Sequence, residues 1–396
     1  MASTSSLEVA DIFRAYGPRF RGQHAGRLLL SQLKAMSAIE TCRTSVLGGH
    51  VYECDQCREQ RIAYNPCRNR HCPKCQGAER FRWLEARQQE LLPVEYFHIV
   101  FTIPAELRSL ALRNQKILYN LLFRSASGAL LEVATDPKHL GARLGLLAVL
   151  HTWGQQLTHH PHVHCIVPGG GLSPAGDRWV SARPGFLVPV RVLGRIFRGK
   201  YLAGLEAAYK AGQLALVGAV SDLASTPRFA EFLDKLYQQE WVVYSKRPFA
   251  GPETVLKYLA GYTHRVAISN QRLLRLEGET VVLSYRDYRR RGRRRLLRLP
   301  SEEFIRRFLQ HVLPEGFVRI RYYGLFANRH RAENLERCRG LLGVDSQVKL
   351  VPPTETRQPQ ICPNCGEGSL KIEGQISASI EARGPVQERA PPCRAA

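Results

Sequence analysis

The sequence predicts an α/β or α+β protein with a small metal-binding module near its N-terminus. Three observations carry the prediction. Six cysteines crowd into residues 42–75, and short β-rich runs mix with helical stretches from residue 96 onward. Basic side chains also exceed acidic ones, with 57 Lys plus Arg against 34 Asp plus Glu. A chain of 396 residues is too long for one compact core, so two or three domains are expected.

A net charge of +23 attracts polyanions, and nucleic acid is the usual one. No apolar run reaches the length of a membrane span. The opening "MASTSSLEVADIFRAYG" lacks a basic start followed by an apolar stretch, so a cytoplasmic protein is expected. The eleven cysteines are odd in number and clustered, which favours a reducing compartment and bound metal over disulfides.

The first element is "HVYECDQCREQRIAYNPCRNRHCPKCQG". Cys54-x2-Cys57 and Cys72-x2-Cys75 are separated by 14 residues, one short of the usual range for paired zinc turns. Each turn presents two thiolates, and two turns complete a tetrahedron around one structural Zn²⁺. Pro66 and Pro73 suit the tight turns. Cys42, His50, Cys67 and His71 are also of ligand type, and build a second site or replace a member of the first. Arg58, Arg61, Arg68, Arg70 and Lys74 give the module a surface for phosphates, although a zinc module also serves protein contacts. "AERFRWLEARQQELLP" (78–93) reads as an amphipathic helix ended by proline, closing a DNA-contacting domain over residues 1–92.

A second domain is expected over 93–300. "YFHIVFTIP" reads as a buried strand, and residues 115–134 as a helix with Leu118, Leu121 and Leu122 on one side. "GLLAVLHTW" (145–153) reads as a strand, as does 162–167, bounded by Pro161 and by Pro168 with three glycines. Helices follow near 191–211 and 227–238, then a strand at 240–246. Residues 265–288 alternate around "EGE", a hairpin. Next comes a dense basic run for DNA: Arg289, Arg290, Arg291, Arg293, Arg294 and Arg295. A basic extension is expected over 301–345. Ser301 with Glu302 and Glu303 opens a helix that stops at Pro314. "FVRIRYYGLFANRHR" then interleaves Arg319 and Arg321 with aromatics. That mixture holds phosphates while stacking on bases, or forms a half-buried edge strand with a solvated basic face. The tail, 346–396, is polar and Pro-rich and is expected to be poorly ordered. Its Cys362-Pro-Asn-Cys365 is half a zinc knuckle that borrows Cys338, binds nothing, or marks a degraded tail.

In a strand, residues i and i+2 share a face, so His162 and His164 project together while Val163 and Cys165 point into the core. Two adjacent imidazoles take two positions on one metal ion. If 145–153 pairs antiparallel with 162–167, His151 reaches the same face as a third ligand. His159 and His160 are placed in the connection. Alone, H-x-H is most often a satisfied or surface pair. In "GPETVLKYLAGYTHR", Pro252 and Glu253 suit the first turn of a helix. Tyr258 and Tyr262 then lie one turn apart on one helical face. Such tyrosines usually pack. A phenol is also a capable nucleophile where a metal polarises its target.

"HPHVHCIVPGGGLS" together with "YLAGYTHRVAISN" resembles the two-tyrosine HUH transposases of rolling-circle insertion sequences. "NPCRNRHCPKCQ" resembles that family's zinc domain, and "FIRRFLQHVLPEGFVRIRYYG" its downstream region. The likeness runs from about Leu33 to Arg331. It implies an α+β, HUH endonuclease-like fold: an antiparallel sheet carries the histidines, helices cover it, and a Cys-rich zinc-binding domain precedes it. It implies Mg²⁺ or Mn²⁺ on His162 and His164, with Tyr258 and Tyr262 as nucleophiles on single-stranded DNA at element ends. A 5′-phosphotyrosine and a free 3′-hydroxyl would result. The same chemistry serves plasmid replication initiators and relaxases. A non-catalytic zinc-containing DNA-binding regulator, with core tyrosines, is the reading from a different class.

Overall fold

The computed structural model describes residues 7–77, 83, 90–249, 267–344 and 360–378. The chain falls into two units, Glu8–Gln76 with Thr354–Ala396, and Gly77–Pro353 with Met1–Leu7.

In the first unit, α1 (Val9–Gln23) starts where Glu8 N donates to Asp11 Oδ2 at 2.9 Å, satisfying one of the orphan groups at a helix start. Val9, Ile12, Phe13 and Phe20 recur at helical spacing and are buried, as are Ala35, Met36 and Ile39 of α2 (Leu30–Thr41). Hairpin strands β1 (Gly49–Cys54) and β2 (Gln60–Tyr64) pair antiparallel. The free edge of β1 is taken by the tail strand Leu370–Ile376, in register from Gly49↔Ile376 to Cys54↔Leu370. This corrects the expectation of a tail set apart from the N-terminal domain. The alternation in "LKIEGQI" is a strand signal, masked by the polar residues around it.

The second unit begins with β3 (Tyr96–Thr102), α3 (Arg108–Arg113) and α4 (Gln115–Thr135). Strands β4 (Gly145–Trp153) and β5 (His159–Pro168) follow, then a small ribbon of β6 (Gly170–Leu172) and β7 (Trp179–Ser181). Helices α5 (Val190–Lys210) and α6 (Thr226–Gln238) lead to β8 (Val243–Phe249). A three-stranded sheet of β9 (Leu273–Glu277), β10 (Thr280–Asp287) and β11 (Arg293–Pro300) runs into α7 (Ser301–Leu309). β12 (Ile320–Gly324) and α8 (Arg331–Leu341) complete it.

The main sheet has five antiparallel strands in the order β12-β4-β5-β3-β8. The fold is therefore α+β. Residues 301–345 are not a separate extension, because β12 is an edge strand of this sheet. The period of two sorts each strand onto two faces. Phe97, Ile99, Phe101, Leu146, Ala148, Leu150, Val163, Cys165 and Val167 form one apolar face and share a core with Leu118 and Leu122 of α4 and Phe197 and Leu205 of α5. The opposite face carries Tyr96, Leu147, Val149 and Ile166, and with them the histidines. β8 starts later than expected because Trp241 turns into the core, its Nε1 donating to Leu236 O at 3.0 Å. The expected helix at 78–93 lies largely outside the described residues.

Candidate active site and metal centres

Register builds the histidine cluster. His162 stands opposite His151 on β4 and Thr102 on β3. His164, two residues on, stands opposite Val149 and Val100 on the same face. One ring nitrogen each from His151, His162 and His164 lies within 4.8 Å of the others. His162 Nδ1 donates to His160 O at 2.6 Å, which leaves Nε2 with its lone pair. Burial, and then the neighbouring His160, lowers the His162 pKa to about 3, so the ring stays neutral, the form that binds metal. Three imidazoles in their neutral form would fit a divalent transition ion, and would suit Mn²⁺ better than Mg²⁺ by softness.

Sequence reasoning missed His98. Its Nε2 lies 2.7 Å from His164 Nδ1, and the two rings stack at 5.0 Å. Burial, reinforced by Lys246, lowers the His98 pKa to about 4. When His164 Nδ1–H donates to a neutral His98, His164 Nε2 is left for a metal. Partners of this kind orient metal-binding imidazoles. Alternation in "YFHIVFTIP" places His98 on one face of its strand, but nothing in the sequence says that this strand adjoins β5.

The β4–β5 turn that holds the cluster is pinned at three consecutive carbonyls. Arg272 donates to Gln155 O, Arg307 Nη1 to Gln156 O at 3.0 Å, and His311 Nε2 to Leu157 O at 3.2 Å. Leu157 is fully buried in the left-handed region at φ 58°, so its conformation depends on these contacts. His159 and His160 belong to β5, not to the connection. His159 Nε2 meets the Tyr119 hydroxyl at 2.7 Å, and His160 Nδ1 accepts from Arg108 at 3.0 Å.

Tyr258 and Tyr262 lie outside the described residues. Described residues flank them: Phe249 stands opposite Tyr96 at one end of the sheet, and Arg272 is bonded to the β4–β5 turn at the other. Along β5 the histidines lie between those two rows.

The cysteines divide differently from the expected set. Cys42, Cys67, Cys72 and Cys75 form one group, and Cys54, Cys57, Cys362 and Cys365 another. The two N-terminal C-x2-C turns therefore do not share an ion. In the first group Cys42–Cys75, Cys67–Cys75 and Cys42–Cys72 each stand at 3.6 Å between sulfurs. A zinc tetrahedron with Zn–S of about 2.3 Å has edges of about 3.8 Å, so the fit is close. Backbone N–H groups of Gly368 and Glu367 lower the Cys365 pKa to about 6. His50 and His71 join neither group. His50 sits edge-on to Tyr52, and His71 Nδ1 lies 3.1 Å from Asn69 Oδ1. Cys338 is buried in an apolar cluster with Leu92, Leu172, Leu325 and Leu335.

The arginines also separate. Arg290, Arg291, Arg293, Arg294 and Arg295 are exposed, and the side chain of Arg289 lies outside the described residues. Arg68 is exposed, Arg70 is half-buried, and Lys74 pairs with Glu8 at 2.5 Å. Arg319 is half-buried. Arg321 is half-buried: it stacks 4.3 Å from the Phe123 ring centroid and donates to Asn120 Oδ1 at 2.6 Å. β12 is the half-buried edge strand that the alternative for this stretch expected, but this cation lies over aromatic rings and not on a fully solvated face.

Residues 12–103 match the family model "Transposase zinc-binding domain", and residues 145–334 match the model "Putative transposase". The chain is 50% identical over 381 residues to "Putative transposase y4qJ" of Sinorhizobium fredii, spanning 92% of this chain and 94% of that relative. It is 28% identical over 315 residues to the transposase for insertion sequence element IS801 of Pseudomonas savastanoi pv. phaseolicola, spanning 75% of this chain and 71% of the relative. No solved structure matches. Among the described residues, no helix is long and apolar enough to cross a membrane.

Proposed function

This chain belongs to the family of insertion-sequence transposases that includes the IS801 transposase, and from that premise we propose how it handles DNA. It cuts and rejoins single-stranded DNA at element ends through a tyrosine-linked intermediate. The observation that carries the reading is the three-imidazole group His151, His162 and His164 on the sheet face opposite the helices.

A divalent metal, Mn²⁺ or Mg²⁺, held by the three histidines would polarise the scissile phosphate. The phenol of Tyr258 or Tyr262 attacks phosphorus in line. A phosphorus–tyrosine oxygen bond forms, and the phosphorus bond to the 3′-oxygen breaks. The tyrosine proton leaves, and the 3′-oxygen gains one. The product is a 5′-phosphotyrosine and a free 3′-hydroxyl, which keeps the energy of the phosphodiester. Attack by a 3′-hydroxyl on that link reverses the step and joins strands. A second tyrosine lets the protein hold two 5′ ends. Positioning falls to the pinned β4–β5 turn and to His98 behind His164. The exposed arginines around residues 290–295 supply sequence-independent affinity for the backbone.

The test is covalent capture. Full-length protein is incubated with labelled single-stranded DNA from the element end and Mn²⁺, then run on a denaturing gel. A metal-dependent protein–DNA band is expected. It should vanish in Tyr258→Phe/Tyr262→Phe and fall at least ~10²-fold in His162→Ala/His164→Ala. Tight, salt-sensitive binding with no band would favour the non-catalytic regulator.

A further inference from the structure

We propose a second zinc site assembled from the two ends of the chain, with Cys54 and Cys57 from the β1–β2 hairpin and Cys362 and Cys365 from the tail. The tail pair lies outside both matched stretches, so family membership does not assign it.

The geometry is that of a metal tetrahedron. Sulfurs of Cys54 and Cys365 stand 3.7 Å apart, as do those of Cys57 and Cys362. A disulfide needs about 2.05 Å, whereas neighbouring thiolates on one zinc stand about 3.8 Å apart. The two turns are built alike. Arg58 N donates to Cys54 O at 3.1 Å, and Gly366 N donates to Cys362 O at 2.8 Å. The residue after each second cysteine takes a left-handed conformation, φ 58° at Arg58 and 75° at Gly366. Cys57 N points at Cys54 Sγ at 3.5 Å, and Gly368 N at Cys365 Sγ at 3.3 Å. Such donors stabilise a thiolate.

One cysteine of each pair lies inside the protein, while Cys57 is exposed and Cys365 half-buried. Cys54 and Cys362 are fully buried. A Cβ at Gly368 would collide with Cys54 Sγ, so only glycine fits there. Asp55 N donates to Ser369 O at 3.1 Å, and Ser369 N returns a bond to Asp55 Oδ1 at 2.8 Å. The tail strand continues directly from these contacts along β1. Four soft sulfurs in a tetrahedron select zinc over magnesium or calcium. The tail is thereby an integral strand of the N-terminal zinc module, clamped by the ion.

Metal content of the purified full-length protein tests this without reference to DNA cleavage. In the His162→Ala/His164→Ala background, which removes two of the three clustered imidazoles, two zinc ions per chain are expected, one for each four-cysteine group. Cys362→Ser/Cys365→Ser should lose one and keep the other. One zinc per chain, unchanged in that variant, would overturn the proposal, as would iron in place of zinc. Should the variant misfold, a protease site inserted between residues 345 and 359 leaves every ligand intact. After cleavage, the C-terminal fragment should co-elute with the rest and separate once a chelator strips the metal. A fragment that separates while zinc stays bound would also refute the clamp.

Discussion

The histidine cluster and the cysteine groups are both constellations of side chains of metal-ligand type, yet they are assembled in opposite ways. His151, His162 and His164 sit on two adjacent strands joined by a short turn, over a core that spans both strands and two long helices. Their geometry is set before any ion arrives. The cysteines sit on turns at both ends of the chain, beside a three-stranded sheet in which β2 is exposed along its whole length. There, beside the small core of α1 and α2, a bound metal is expected to supply much of the folding energy. Small zinc modules gain on the order of 10–16 kcal/mol from the ion. The difference teaches that one set of ligands is a site carried by a fold, and the other is part of what makes the fold.

The largest effect should come from removing metal altogether. A strong chelator should abolish the melting transition of the cysteine unit and leave that of the sheet unit within a few degrees of its original position. Calorimetry with and without chelator reads both. A sheet transition that collapses together with the other would break the contrast.

That contrast also explains what was legible in the sequence. Strand parity places His162 and His164 side by side, and pairing with the preceding strand brings in His151, because local periodicity and a short connection decide both. The cysteine pairing was not legible. Cys54-x2-Cys57 looks complete with Cys72-x2-Cys75, since sequence proximity is the only guide when the true partner is a tail far away. Knowing that Leu370–Ile376 takes the edge of β1 settles the partition at once, and no local pattern announces that strand order. The same reason hid His98 and the placement of β12. Strand neighbours are a tertiary fact. Arg321 shows a further limit, because a basic-aromatic pattern reads alike whether the cation meets a phosphate or a phenylalanine ring.

A smaller effect should separate ligand from support within the histidine cluster. His98→Ala should weaken Mn²⁺ binding by roughly 10–100-fold, in line with the loss of an orienting partner. Cleavage at saturating metal should recover most of its rate. His98→Gln, which retains a polar partner for His164, should rescue part of the affinity. Titration calorimetry with Mn²⁺ gives the affinity, and the adduct assay across metal concentrations gives the rate. A loss of rate that no metal concentration restores would make His98 a participant in the reaction.

The smallest effect concerns the turn that presents the cluster, and it is read through pH. His311 is buried, with Nδ1 3.1 Å from the Thr152 hydroxyl and Nε2 on Leu157 O. Nε2–H donates to Leu157 O in either protonation state, while Nδ1 accepts from the Thr152 hydroxyl only in the neutral ring, the form that burial favours. Burial lowers its pKa from 6.5 to about 4 in the folded protein. The unfolded chain therefore binds this proton more readily than the folded one. The stabilising contribution of the neutral ring is complete above about pH 6.5 and is lost as pH falls towards 4, by at most about 3 kcal/mol. His311→Gln should lower the melting temperature at pH 8 and flatten its decline between pH 6.5 and 4.5. His98 and His159 are buried and shifted in the same direction, so the slope should shrink and not vanish. Melting curves in chelator across that range isolate the proton from the metal. A wild-type slope equal to that of the variant would mean that the turn does not depend on a neutral imidazole. The turn would then be held by Arg272, Arg307 and the β4–β5 pairing.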